Sequence, residues 1–369
     1  MKTVIPHPSS FASPDTGAHE DRDFLGMPVN DTSSANQHGV FPSEVITRIA
    51  DNPFEHVAVT NTSRLKQIWA IGGGKGGVGK SLISSSIAIA LARLGQKVIA
   101  VDLDLGGANL HTAVGLGLPK RTLFDFLGGR TPSLRDCVTP SGIAGLELIS
   151  GAQDSIHVTN LSLEQKALLI QSMKELDADY LIVDLGAGTA VNTIDFFLAA
   201  DLGIVVMLPE PTSIENAYRF IKSAYFRRLM VSPKLGDIRS LIDVAMDSKN
   251  SQGIKTPTDL FREVSLQHPE TALRLRHEIQ NMHLKLIVNQ ARTQTDIDIG
   301  FSVKSVCQKY FGVQMDYVGC LDYDSAAWQA TRRKRSLMLE FPNSQVVSSI
   351  DRITQYLLKR YGHIRNSLF

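Results

Sequence analysis

The sequence predicts a doubly wound α/β fold from residue 66 onward, a mostly parallel sheet with helices on both faces. Three observations carry this expectation. Short runs rich in Val, Ile and Leu recur along the chain, and most are continuous rather than alternating, as in strands buried on both faces. Stretches of helical period separate them, so strand and helix take turns. A glycine-rich loop joins the first strand to the first helix, where open α/β sheets receive ligands.

Residues 1 to about 65 read differently. Pro6, Pro8, Pro14, Pro28, Pro42 and Pro53 lie among many Ser, Asn, Asp and His, with few apolar positions at any period. Such a stretch cannot repay its ordering entropy, so 1–65 is expected to be a disordered or partner-binding arm. Two apolar islands stand in it, Phe24–Met27 and Phe41–Phe54.

The first strand is expected at Gln67–Ile71, and the helix Lys80–Leu94 closes at Gly95. Strands Lys97–Leu103 and Leu146–Ser150 precede the helix Leu163–Leu176. Then come the strand Tyr180–Leu185, helix Ala190–Ala199, strand Gly203–Leu208 and helix Ser213–Leu229. Residues 230–283 break the rhythm with Gly236, Asn250, Gly253 and Pro257, followed by two short helices parted near Pro269. This length suits a helical insertion or a crossover with helices of its own, read as a helical hairpin on the sheet edge. Strands Lys285–Asn289 and Asp316–Cys320 and the helix Gln345–Tyr361 complete a domain spanning 66–369.

Composition narrows the function classes. At 43% hydrophobic and 20% charged residues, most of the chain can bury a core. Lys+Arg 38 against Asp+Glu 37 excludes a wholesale polyanion binder but leaves room for a local basic patch. Cys137, Cys307 and Cys320 form no Cys-x-x-Cys pair, which argues against a disulfide framework or a cysteine metal cluster. The N-terminus has no apolar signal core and no run approaches the ~18 apolar residues of a spanning helix, so a cytoplasmic protein is expected.

The chemistry begins at Gly74-Lys75-Gly76-Gly77-Val78-Gly79-Lys80-Ser81, which fits G-x-x-x-x-G-K-[ST] between a strand and a helix. Glycines let backbone N–H groups turn inward around a polyphosphate, and the helix adds its positive end. Lys80 supplies charge to the outer phosphates and Ser81 offers a hydroxyl to Mg²⁺. Asp102 and Asp104 leave the end of a second buried strand, and Asp184 ends the apolar run YLIVDL. A carboxylate at such an end can hold a hydrated Mg²⁺, and Asp102 reads equally well as a structural loop carboxylate.

An ordinary phosphate loop needs no cation at its second position, yet Lys75 stands there. The form K-G-G-x-G-K-[ST] resembles the deviant Walker A loop of the MinD/ParA family, SIMIBI-class P-loop ATPases. That resemblance implies that ATP and Mg²⁺ are the cofactors and that Lys75 reaches the nucleotide of a second copy, giving an ATP-dependent homodimer. It assigns Asp104 to the attacking water, beside Ser81 at the metal, and Asp184 to the Walker B and switch II position. Gly74, Gly76, Gly77, Val78, Gly79, Lys80, Ser81 and Leu82 become the nucleotide cradle, although Leu82 stands where the family often has a second Thr. Asn289, in LKLIVNQAR, matches the family's adenine-reading Asn, and Leu321-Asp322 replaces the Ile-Pro of the ring wall. The stretch PEPTSIENAY, with the switch II text IVDLGAGTA and the late RRKRSLMLEFPNS, is similar to the FlhG/FleN branch.

The run Arg332-Arg333-Lys334-Arg335 reads as a solvated helix face or, as in DNA-partitioning relatives, a non-specific DNA contact. Val346, Ile350, Ile353, Leu357, Tyr361, Ile364 and Leu368 form a helical stripe. It is expected to dock on the core, with peripheral contact at the inner face of the plasma membrane as the alternative. The resemblance thus implies an ATP-hydrolysing switch with a protein activator or effector, controlling placement or number of a flagellar or division structure. The alternatives are a partitioning ATPase on DNA and a scaffold without significant turnover.

Overall fold

The computed structural model describes residues 66–152, 161–247, 253–254 and 256–362. The arm 1–65 with its two islands, and Ile364 and Leu368 of the terminal stripe, lie outside the described residues. The chain runs β1 (Gln67–Gly72), α1 (Lys80–Arg93), β2 (Val98–Leu103), then two five-residue helices, α2 (Leu110–Val114) and α3 (Leu123–Leu127). Next come β3 (Val138–Pro140), β4 (Leu146–Ile149), α4 (Leu163–Glu175), β5 (Tyr180–Leu185), α5 (Val191–Ala199) and β6 (Leu202–Met207). Four helices follow: α6 (Pro211–Val231), α7 (Arg239–Met246), α8 (Pro257–Gln267) and α9 (Pro269–Gln280). The remainder is β7 (His283–Ala291), α10 (Gln294–Val306), β8 (Gln314–Asp322), α11 (Ser325–Arg332), α12 (Leu337–Glu340) and α13 (Gln345–Tyr361).

The strands form one sheet in the order β3-β4-β2-β5-β1-β6-β7-β8. Every pairing is parallel except β3 with β4. The continuous apolar runs have the expected cause. On β1, Ile68 and Ala70 join one apolar layer while Trp69 and Ile71 join the other. The first layer holds α4 to α10 through residues such as Leu169, Phe196, Phe220, Ile242, Leu260, Leu275 and Val303. The second holds α1, α11, α12 and α13 through Ile83, Ala330, Leu337 and Ile350. Helix starts follow local chemistry. Ser162 with Gln165, Thr256 with Asp259 and Thr293 with Asp296 form capping boxes on α4, α8 and α10.

One expectation changes. The two helices parted at Pro269 exist as α8 and α9, but they are not packed on the sheet edge. β6 and β7 are adjacent parallel strands, so the segment belongs to their crossover, and its apolar faces extend the layer begun by α6. The stripe of α13 docks on the core, with Val346, Ile350, Ile353, Leu357 and Tyr361 buried in the layer of α1. The described part of the stripe is therefore spent on the core. No described helix is long and apolar enough to cross a membrane.

Candidate functional site

The site lies at the C-terminal ends of β1, β2, β5 and β7. The loop 73–79 leaves β1 and enters α1 through Gly79, whose φ of 94° is left-handed. A Cβ there would lie 2.4 Å from Asn289 Nδ2, so both the turn and the close approach require glycine. At the outer turn, a Cβ on Gly76 or Gly77 would meet nothing, and this open face is the cradle a polyphosphate would fill. On the inner side a Cβ on Gly74 would lie 1.9 Å from the Asn216 carbonyl of α6, so the loop is pressed against that helix.

Lys80 is 7% exposed at the start of α1. Burial pulls its ammonium below the ordinary value, while Asp184 and Asp104 pull it back up. Asp184, at the end of β5, is 1% exposed and accepts from Ser84 Oγ at 2.8 Å. Its Oδ2 is buried without a hydrogen-bond partner. Burial pushes this carboxyl upward against the opposing pull of the Ser81 and Ser84 hydroxyls and Lys80. Opposite it in register on β2 stands Asp102, wholly buried. Asp102 accepts from the Asp104 N–H at 3.1 Å and from the Leu110 N–H at 2.9 Å. Burial first, then the facing Asp184, raises its carboxyl too. These two bonds match the structural reading of Asp102: it pins both ends of the loop 104–110.

Asp104 is half-buried at the mouth of this loop. A Cβ on Gly186 would lie 3.0 Å from Asp104 Oδ1, so the loops after β2 and β5 touch at the carboxylate. The Gly188 N–H donates to the Gly73 carbonyl at 3.2 Å, tying the second of these loops to the phosphate loop.

Lys75 does not fold into its own cradle. Its Nζ lies 3.2 Å from Glu210 Oε2 and 3.2 Å from Thr212 Oγ1, and its side chain stays 36% exposed. The sequence contained this signal in PEPTS, but nothing in a linear motif says that Glu210 and Thr212 face Lys75 across the loop. Ser84 was missed likewise; it is one of three consecutive buried serines, Ser84 to Ser86, and nothing in line singles it out.

Asn289 is 4% exposed and sits beside the phosphate loop, donating from Nδ2 to the Val78 carbonyl at 2.8 Å. Its Oδ1 accepts from the Gln290 N–H at 2.9 Å, so one bond braces the phosphate loop and the other holds the amide against its own strand. Leu321 is 1% exposed and belongs to the apolar layer against which Leu82 packs. Asp322 is half-buried, and beside it Arg292 stacks over the Tyr323 ring at 4.1 Å. In the basic run, Arg332 lies over Trp328 at 5.1 Å and Arg333 pairs with Glu340 at 3.0 Å.

The donor set fits a nucleotide with a hard cation. The orphaned Asp184 oxygen, the Ser81 hydroxyl and half-buried Asp104 are oxygen ligands of the kind Mg²⁺ takes. Among the described residues no cluster of three or more His, Cys, Asp or Glu could hold a metal alone, so a cation here would also draw on ligand phosphates.

The family described as ParA, NUBPL iron-transfer P-loop NTPase, matches residues 64–251. The antiactivator FleN of Pseudomonas aeruginosa is 30% identical over 293 residues, 78% of this chain and 85% of FleN. The septum site-determining protein MinD of Helicobacter pylori is 34% identical over 151 residues, 40% of this chain and 55% of that protein. Among solved structures, MinD of Pyrococcus horikoshii with Mg-ADP superposes with a TM-score of 0.54 at 20% identity, covering 79% of this chain and 96% of that one. The resemblance read from the loop is thus met by similarity along most of the chain, and the protein belongs to the MinD/ParA family of P-loop proteins, in its FleN/FlhG-like branch.

Proposed function

We propose that this protein is an ATP-dependent switch that binds and hydrolyses ATP with Mg²⁺ and pairs with a second copy of itself. The observation that carries the reading is the contrast between two lysines of one loop. Lys80 is buried beside Asp184 and Asp104, placed to neutralise the phosphates of its own ligand. Lys75 is held at the mouth by Glu210 and Thr212, exposed enough to reach another molecule's nucleotide.

Each residue then has a physical task. The backbone of Gly76 to Lys80 and the N-terminus of α1 hold the phosphates. Ser81 and Asp184 would hold Mg²⁺, which when bound supplies charge neutralisation between the outer phosphates. Asp104 orients the attacking water, an effect that rests mainly on positioning. Its contact with the loop after β5 lets loss of the γ-phosphate move both loops together. The regulated process is placement or number of a flagellar or division structure, by analogy with FleN and with a flagellum site-determining and a septum site-determining protein of Helicobacter pylori.

Sedimentation of the full chain tests this. With ATP and Mg²⁺, Asp104→Ala should accumulate as a dimer, while Lys75→Ala should remain monomeric yet bind ATP. A monomeric Asp104→Ala or a dimeric Lys75→Ala would discard the switch. Phosphate release should accompany wild-type turnover and be lost in Asp104→Ala.

A further inference from the structure

A cleft lies away from the phosphate loop, where β6, β7 and β8 begin and α5, α9 and α13 end. Its volume is about 720 Å³, within the range that encloses small ligands. Five basic side chains line it: Arg228, Lys285, His277, His283 and Arg360. They are graded by depth. Arg228 and Lys285 are 4% and 1% exposed, while His277, His283 and Arg360 are exposed.

The acids nearby are already engaged. Asp316 accepts from Lys285 Nζ at 2.8 Å and from Tyr361 Oη at 2.6 Å. Asp201 accepts from the Ile68 N–H at 2.8 Å. Glu278 reaches Arg228 Nη2 at 3.4 Å and Lys234 at 3.5 Å, both long contacts. Arg228 Nε is buried with no hydrogen-bond partner. Leaving a guanidinium donor unpaired in the interior costs several times what its one weak carboxylate contact returns. The ends of α5, α9 and α13 favour cations here through their dipoles. That accounts for a surface Arg or His, but not for a buried guanidinium with a donor left over.

We propose that this cleft is a second ligand site, taking a small phosphate-bearing anion. Arg228 is the anchor at the base, Lys285 the adjoining charge, and His283, His277 and Arg360 the outer donors. A planar guanidinium and two imidazoles match the tetrahedral, multiply accepting phosphate group better than a single carboxylate. The site is independent of the nucleotide reading. β7 nevertheless carries Lys285 near its start and Asn289 near its end, so one strand joins the cleft to the phosphate loop.

Isothermal titration of the full-length Lys80→Ala protein with sodium pyrophosphate tests the site with the phosphate loop disabled, and citrate serves as the carboxylate control. One pyrophosphate per chain is expected, bound more tightly than citrate. The surface variant His283→Glu with Arg360→Glu should weaken it by about tenfold or more without lowering the melting temperature. Arg228→Gln should abolish it; should that variant fail to fold, the surface pair still decides. No binding up to millimolar pyrophosphate, binding unchanged in the surface variant, or preference for citrate would each overturn the assignment. A separate ATP titration of the surface variant should match wild type, so failure here leaves the nucleotide reading standing.

Discussion

The two ends of the sheet bury opposite charges. Where the strands finish, the buried charged groups include Asp102, Asp184 and Lys80, and an atom without a partner is a carboxylate oxygen of Asp184. Where they begin, the buried groups include Arg228 and Lys285, answered by Glu278 and Asp316, and an atom without a partner is the Nε donor of Arg228. A parallel β-α arrangement explains part of this. It gathers helix starts and loop N–H groups at one end and helix C-termini at the other, so the two ends carry opposite fields. What the field does not explain is the unpaired oxygen of Asp184 at one end and the unpaired Nε of Arg228 at the other. An acid oxygen invites a cation, and a guanidinium donor invites an anion.

That contrast can be broken most directly at Lys80. Lys80→Ala should lower ATP affinity by ~100-fold in equilibrium dialysis, because the buried charge facing the phosphates is gone. Lys285→Met at the opposite end should leave ATP affinity within about twofold. An equal loss from both would join the two ends into one site.

Backbone strain offers the next largest effect. Gly79→Ala must hold φ near 94° and place a methyl 2.4 Å from Asn289 Nδ2. It should lose about 2–3 kcal/mol in urea denaturation. Gly77→Ala has positive φ but open space around its Cβ, and should lose about 1 kcal/mol. Equal losses would mean that the Asn289 brace contributes little.

The buried acids make a pH prediction. Burial raises both Asp102 and Asp184, so the folded ligand-free chain releases these protons at higher pH than the unfolded chain does. Stability from these groups is therefore fully present below the ordinary carboxylate value near ~4 and is lost as pH rises toward the raised values, by at most ~1.4 kcal/mol per unit and group. Asp184→Asn removes one of them while leaving an acceptor for Ser84. Thermal melts without ligand should show the variant gaining on wild type from pH ~4 toward neutrality, by about 1 kcal/mol. Added Mg-ATP should stabilise wild type and not the variant. A constant difference across pH would show that Asp184 carries no raised proton.

The smallest effect belongs to Asn289→Ala, which removes the bond to the Val78 carbonyl. A stability loss of about 1 kcal/mol is expected, read from the same urea curves.

The doubly wound sheet was legible because parallel strands buried on both faces must be apolar throughout, and runs such as YLIVDL are. β3 and helices α2, α3 and α12 were not, since three to five residues hold less than a readable period. The phosphate loop was legible because its chemistry is local. Gly79, Lys80 and Ser81 act through spacing along one turn.

Sequence alone therefore determined the strand–helix alternation, the loop that cradles phosphate, and the presence of a second lysine in it. The tertiary structure decided what those residues face. Glu210 and Thr212 meet Lys75 from 135 and 137 positions away, Asn289 meets Val78 from 211 away, and Arg228 is left with an unpaired donor beneath a cleft built from distant strands and helices. The reason is physical: a side chain's type and neighbours in line are written locally, but its burial and its partners depend on which strands the sheet sets side by side.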